Sequence, residues 1–247
     1  MSGIVLETRQ MHMAFGGLVI FESIDFALRQ GERHAIIGPN GAGKTTFVNL
    51  VTGLLKPISG TIWLDGQDVT RQSPQQRVKS GLVRTFQINS LFKALNPLES
   101  VMLALLERDG LGRIAWRKVA AEKHQIDEAM ALLARFGLAD DAYTLTDSLA
   151  YGKQRLLEIV LALALKPKVL LLDEPAAGLS TQQGHEVFSQ LANLPGETAI
   201  LFIEHDMNLV FQYADIVSVF AAGSMVLQDS PENVRKSPRV REVYLGA

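Results

Sequence analysis

The run GPNGAGKT, from Gly38 to Thr45, decides how the rest of the chain is read. It fits the pattern G-x-x-x-x-G-K-[ST], and its neighbours supply the context that pattern needs. Ahead of it, RHAII (Arg33 to Ile37) is a short buried strand; behind it, KTTFVNLVTG reads as a helix that stops at Gly53. Glycines let the backbone N–H groups of such a loop turn inward around phosphate oxygens. The helix that follows adds the partial positive charge of its N-terminus. Lys44 is placed to reach the β- and γ-phosphates of a nucleotide, and Thr45 to offer an oxygen to Mg2+. The run Gly38, Pro39, Asn40, Gly41, Ala42, Gly43, Lys44, Thr45 and Thr46 is therefore the candidate nucleotide cradle.

Outward from the loop, the pattern alternates between strand and helix. Ile24, Phe26 and Leu28 alternate with Asp25, Ala27 and Arg29, a half-buried strand ending at Gln30 and Gly31. GTIWLDG is a strand closed by an Asp65-Gly66 turn, and GLVRTF (Gly81 to Phe86) is another. Between them, RQSPQQRVKSG is short and basic and reads as a solvated face. From about Asn89 to Leu165 the character is helical. Asn96-Pro97 starts one helix; Ile126, Ala129, Met130, Leu133 and Phe136 recur at helical spacing, with Gly137 placed to cap. Ser148 is the expected N-cap of a helix beginning near Leu149.

Strands then return as KVLLLD (Lys168 to Asp173), TAILFI (Thr198 to Ile203) and IVSVF (Ile216 to Phe220), with a closing hairpin around Gly223. Continuous apolar strands alternating with helices predict an α/β fold, a mainly parallel sheet covered on both faces. The expected organisation is one ATP-binding domain: a core from 1–87 and 166–247, and a helical insert from 88–165.

Composition sets limits. The chain has 247 residues, 47% hydrophobic and 20% charged, ample for one large core with an insert. A net charge of -2 argues against nucleic acid as a partner held by bulk electrostatics. The absence of cysteine excludes disulfides, thiolate metal sites and cysteine nucleophiles. The opening MSGIVLETRQ does not read as a signal peptide, and the apolar run IVLALAL (Ile159 to Leu165) falls far short of the ~18 residues that span a bilayer.

LLLDEP puts Asp173 and Glu174 at the end of an apolar strand, where parallel sheets bind ligands. Asp173 is expected to hold Mg2+, directly or through water, and Glu174 to act as general base on the attacking water. His205, at the end of LFI, is in position to sense the γ-phosphate; His12, His34, His124 and His185 read as structural. Gln87 follows LVRTF where the helical insert begins, within reach of the metal and the water.

The phosphate loop, Gln87, a short glycine motif before an insert helix, LLLDEP and then EHD, in that order over nearly the whole chain, resemble an ABC transporter ATPase subunit. The resemblance implies a P-loop ATPase core with an antiparallel β subdomain and a helical subdomain. It also implies a head-to-tail dimer around two ATP molecules. LAYGKQ (Leu149, Ala150, Tyr151, Gly152, Lys153, Gln154) occupies the place of the family's signature, usually LSGGQ. Gly152 then presents its N–H to the γ-phosphate of the opposite protomer. Phe15, followed by Gly16 and Gly17, matches the aromatic that stacks on adenine.

Departures sharpen the resemblance. Ala150, Tyr151 and Lys153 replace the common serine, glycine and glutamine, and Ser180 stands where an aspartate is common in the dimer-contact loop Ala177 to Ser180. Lys153 is a candidate charged donor in compensation. LAYG, RTFQ, DEPAAGL and VREVYLG look like the Liv-type importer ATPases for branched-chain amino acids. That implies membrane permease subunits, a second ATPase subunit, an extracytoplasmic solute-binding protein and a peripheral place on the cytoplasmic face of the cell membrane. Leu91, Phe92 and Leu95 line either a permease groove or the helical core. Two other readings stay open: an ABC ATPase of lipid or drug export or of non-transport function, and a different P-loop class. The first usually brings fused spans or tandem cassettes; a GTPase should carry an N-K-x-D base reader, and none is found.

Overall fold

The structure is a computed structural model that describes residues 3–85, 91–111, 123–194 and 196–245. The chain divides into two compact units. One comprises Met1–Arg84, Pro167–Pro175 and Ala192–Ala247, the other Thr85–Lys166 and Ala176–Leu191. The helical unit thus takes in the stretch after Pro175, which the sequence assigns to the core.

The first unit holds two sheets. Strands β1 (Ile4–Phe15), β2 (Leu18–Arg29), β4 (Ser59–Leu64) and β5 (Gln67–Asp68) form an antiparallel sheet in the order β2-β1-β4-β5. This is the β subdomain that the resemblance implies. The second sheet runs β10-β9-β3-β8-β7-β6, from β3 (Arg33–Ile37), β6 (Leu82–Arg84), β7 (Val169–Asp173), β8 (Ala199–Ile203), β9 (Ile216–Ala221) and β10 (Ser224–Asp229). All its pairings are parallel except the β9–β10 hairpin. Every residue of β7 and β8 is buried, as uninterrupted apolar runs require of strands covered on both faces. Their register sets Asp173 opposite Ile203, while Ile203 pairs with Ile36 on the other side. The strand ends that carry the phosphate loop, the carboxylates and His205 therefore stand side by side.

Helix α1 (Lys44–Val51) is fixed by an aromatic cluster. Its Phe47 meets Phe26 and Phe220 edge-on, each at 5.2 Å between ring centroids, and Phe21 at 6.5 Å. Phe21 and Phe26 lie on β2 and Phe220 on β9, so both sheets hold this helix. Burying one such ring contributes about 1.5–3 kcal/mol, and truncating Phe47 to alanine costs about 3–5 kcal/mol. The remaining helices of the unit are α2 (Pro74–Lys79), α7 (Met207–Tyr213), α8 (Pro231–Lys236) and α9 (Pro238–Leu245).

Helix α2 keeps most of RQSPQQRVKSG exposed, as a solvated face would be, and departs from that reading at one residue, Arg77. Arg77 is 1% exposed. It donates to the Leu50 and Val51 carbonyls at 2.7 and 2.5 Å and to the Thr70 carbonyl at 3.0 Å. The end of α1 thus has its carbonyls satisfied by a cation, which also suits the helix dipole.

The second unit is built from α3 (Pro97–Arg108), α4 (Lys123–Arg135), α5 (Tyr151–Ala164) and α6 (Thr181–Ala192). Asn96 and Glu99 exchange side chain-to-backbone bonds at 2.9 Å, a capping box with Pro97 in the first turn, so α3 begins where the sequence places it. Arg108 on α3 grips both oxygens of Glu128 on α4, at 2.7 and 2.9 Å. The Arg108 bonds, with Lys166 helping, hold the Glu128 pKa down at about 2. Ser148 is not the cap of α5. It ends a 3-10 turn over Thr146–Ser148, and α5 starts two residues later than expected with Ala150 at its N-cap, which has no side chain able to cap.

Candidate functional site

The loop from Gly38 to Gly43 leaves β3 and turns into α1. Gly43 is the N-cap at φ +93, and a Cβ there would stand 2.6 Å from the Phe21 ring. Only glycine meets both conditions. The start of α1 has no side-chain cap and no acidic residue in its first turn. Its amide donors and dipole are therefore available to an anion, and the residues present fit a nucleotide phosphate. Lys44 is 8% exposed and donates to the carbonyls of Gly38 at 2.7 Å and Pro39 at 3.1 Å. Burial lowers its pKa, while Glu174 and Asp173 pull it back up. The ammonium thus bonds to two of the loop's own carbonyls, which the oxygens of a bound phosphate would replace as its partners. Thr45 is exposed beside it and Thr46 half-buried.

Asp173 ends β7 at 4% exposure. The Arg84 guanidinium donates to its carboxylate at 2.6 Å and to the Asn49 side-chain carbonyl at 2.8 Å. Arg84 thereby ties the carboxylate to α1, a role sequence reasoning missed. The only hint in LVRTF is a basic residue closing an apolar strand. Glu174 adopts φ +48, unusual for a residue with a side chain, and its amide donates to the Ile203 carbonyl at 3.0 Å. Its carboxylate lies 3.0 Å from Nε2 of His205. The structure thus brings Glu174 and His205 together. Asp206 accepts from the Asn208 amide and caps α7.

Phe15 ends β1 just before the Gly16-Gly17 turn and is 48% exposed. Gln87 lies outside the described residues. Of the four histidines read as structural, His34 is fully buried, 2.7 Å from Glu32 and 2.8 Å from the Ser218 hydroxyl, whereas His124 is exposed. Among the described residues, no group of three or more His, Asp or Glu side chains is placed to hold a metal ion by itself.

The signature segment belongs to the helical unit. Leu149 is buried, Ala150 precedes α5, and Tyr151 to Gln154 form its first turn. The Gln154 side-chain amide donates to the carbonyls of Thr146 at 3.1 Å and Leu149 at 2.9 Å, holding the turn in shape. A Cβ on Gly152 would stand 3.1 Å from the Gln183 amide nitrogen, so a larger residue there meets a neighbour. Lys153 is bound to Asp141 at 2.7 and 2.9 Å, and service as a phosphate donor requires it to leave that carboxylate.

Comparisons with known proteins agree with this geometry. The profile of the ABC transporter family matches residues 21–177. A high-affinity branched-chain amino acid transport ATP-binding protein, LivG of Salmonella typhimurium, is 38% identical over all of this chain and 99% of its own. BraF of Pseudomonas aeruginosa, which bears the same description, is 35% identical over all of this chain and 99% of its own. Among solved structures, the ADP conformation of an ATP-binding cassette of an ABC transporter superposes with a TM-score of 0.86 at 28% identity, covering the whole of both chains. No helix among the described residues is long and apolar enough to cross a membrane. A phosphate loop on α1, a carboxylate pair ending β7 and a profile match over most of the chain have one common explanation: the chain belongs to the ABC transporter family, as an ATP-binding cassette that hydrolyses ATP to drive transport.

Proposed function

We propose that this cassette powers import of branched-chain or related apolar amino acids through separate membrane permease subunits. The observation that carries the reading is the meeting of Lys44, Asp173, Glu174 and His205 at adjoining strand ends, in a chain similar throughout to LivG. Phe15, exposed at the end of β1, stacks on adenine; the loop amides and Lys44 take the phosphates. Glu174 accepts the proton of the attacking water, and His205, 3.0 Å away, orients that carboxylate and meets the γ-phosphate. Thr45, Asp173 and Gln87 would hold Mg2+, which supplies charge neutralisation on the phosphates when bound. The signature residues Leu149 to Gln154 act in trans on the nucleotide of a second ATPase subunit, a copy of this chain or a sister. Nucleotide binding draws the two cassettes together, and loss of the γ-phosphate lets them part.

The permeases place the chain peripherally on the cytoplasmic face of the cell membrane and link it to an extracytoplasmic solute-binding protein. Phe92 is 65% exposed beside half-buried Leu91 and Leu95, an apolar edge suited to a permease helix. The test is ATPase activity in proteoliposomes holding this chain, its permeases and a binding protein. Leucine-loaded binding protein should stimulate hydrolysis, and Glu174→Gln should abolish it while sparing ATP binding. Hydrolysis indifferent to every branched-chain amino acid would refute the proposed import role.

A further inference from the structure

Arg84 joins two elements of the first unit that meet the nucleotide cradle. It closes β6, paired with Leu171 of the parallel strand β7. Leu171 and Asp173 lie two apart and so share a face of β7, and the guanidinium reaches along it to the Asp173 carboxylate at 2.6 Å. Its other terminal nitrogen donates to the Asn49 side-chain carbonyl on α1 at 2.8 Å. Asn49 follows Thr45 by four residues on that helix, so the two share a face, with Cβ atoms about 5–6 Å apart. Helical side chains lean toward the N-terminus, which aims Asn49 along the face that carries Thr45.

The linkage serves position more than stability. The Arg84 side chain is 12% exposed and that of Asp173 5%, so water screens the pair little. A buried ion pair still adds little net stability, because desolvating both charges offsets much of their attraction. What it fixes is geometry. The planar guanidinium holds its donors in a rigid fork, which an ammonium on a flexible stem does not. With one nitrogen on Asn49 and one on Asp173, the fork sets how far the helix face bearing Thr45 stands from the end of β7. Thr45 brings a hydroxyl and Asp173 a carboxylate, the hard oxygen donors that Mg2+ takes.

We infer that Arg84 and Asn49 form a spacer that sets the separation of Thr45 and Asp173, and thereby how tightly the divalent cation of the nucleotide is held. The inference rests on the proposed reading of Thr45 and Asp173 as holders of that cation. Arg84 and Asn49 are positioning residues that act through those two. Removing a partner that orients a metal ligand costs about 10–100-fold in metal affinity or activity. Cutting the link to α1 alone leaves Asp173 paired with Arg84, so the lower end, about tenfold, is expected.

The test compares Asn49→Ala, Arg84→Lys, the double variant and Asp173→Asn in the full chain. Three quantities are read: affinity of the ATP-loaded chain for Mn2+ by electron paramagnetic resonance, affinity for ATP in EDTA, and the Mg2+ concentration that half-saturates hydrolysis. Asn49→Ala should weaken Mn2+ binding about tenfold, raise the half-saturating Mg2+ to match, and leave ATP affinity in EDTA within about twofold of wild type. A merely structural bond would lower the folded fraction without moving the metal affinity of the chains that fold. Arg84→Lys keeps a charge for Asp173 and loses the fork, so it should match Asn49→Ala. The double variant should be no worse than either alone, because both cut one link. Asn49→Ala leaves the buried carboxylate paired, which covers the case in which an Arg84 variant fails to fold. Mn2+ affinity within about threefold of wild type in Asn49→Ala, or ATP affinity in EDTA falling in step with it, would overturn the inference. If Asp173→Asn weakens Mn2+ binding and Asn49→Ala does not, the spacer alone fails. If Asp173→Asn binds Mn2+ as wild type does, the assignment of the metal holders fails as well, so the two failures are told apart.

Discussion

Arg77 sits at the far end of the helix that begins with Lys44, and replacing it measures what that buried cation contributes. Two effects oppose each other. Hydrogen bonds from a charged donor contribute about 1.5–3 kcal/mol each, so its three bonds to carbonyls give roughly 4–9 kcal/mol. Burial disfavours the charge and pushes the guanidinium pKa down to about 10, which corresponds to roughly 3 kcal/mol of desolvation. Nε, buried without a hydrogen-bond partner, adds to that cost. The bonds win, by about 3 kcal/mol near the middle of the range. Arg77→Met keeps the apolar stem and removes the donors. In a chain of this size each kcal/mol moves the melting temperature by about 2–4 °C, so Tm should fall by roughly 6–12 °C. Thermal melts at neutral pH followed by circular dichroism read this directly, with Arg77→Lys expected in between because one ammonium cannot serve all three carbonyls. An Arg77→Met chain melting at or above wild type would show that desolvation dominates, and the reasoning would fail.

Two further outcomes are expected. Gly43→Ala puts a methyl 2.6 Å from the Phe21 ring at φ +93, so it should cost about 1–3 kcal/mol in stability and weaken ATP binding in calorimetry; unchanged affinity would contradict the account of the loop. Glu128 has its folded pKa lowered from 4.5 to about 2, so its contribution is present above about pH 4.5 and is lost as pH falls through about 2. Urea unfolding of wild type and Glu128→Gln should therefore show a stability gap that closes over that acidic window, and a gap independent of pH would refute the pairing with Arg108.

What the sequence shows and what it hides divide along physical lines. The runs LLLD and AILFI can be read because strands buried on both faces need no polar alternation. The phosphate loop can be read because its glycines and lysine are adjacent in the chain. Arg77 could not be read: its partners Leu50 and Val51 lie 27 and 26 positions away, and nothing local distinguishes it from a solvated arginine. The Arg84–Asp173 bond spans 89 positions and is hidden for the same reason. Ser148 misled because an N-cap residue type is also at home in the 3-10 turn it ends. Tyr151 read as a departure from a pattern; that its ring packs against Gly178, 27 positions on, shows only in the fold.

The most direct measurement is an experimental structure of the Glu174→Gln chain with ATP and Mg2+, in its complex with the second ATPase subunit. The account expects the γ-phosphate held by Lys44 to accept a hydrogen bond, about 2.7–3.2 Å long, from the signature amide of the opposing subunit, and Gly152 to do the same for the other nucleotide. A nucleotide-filled complex with Gly152 remote from every phosphate would contradict it.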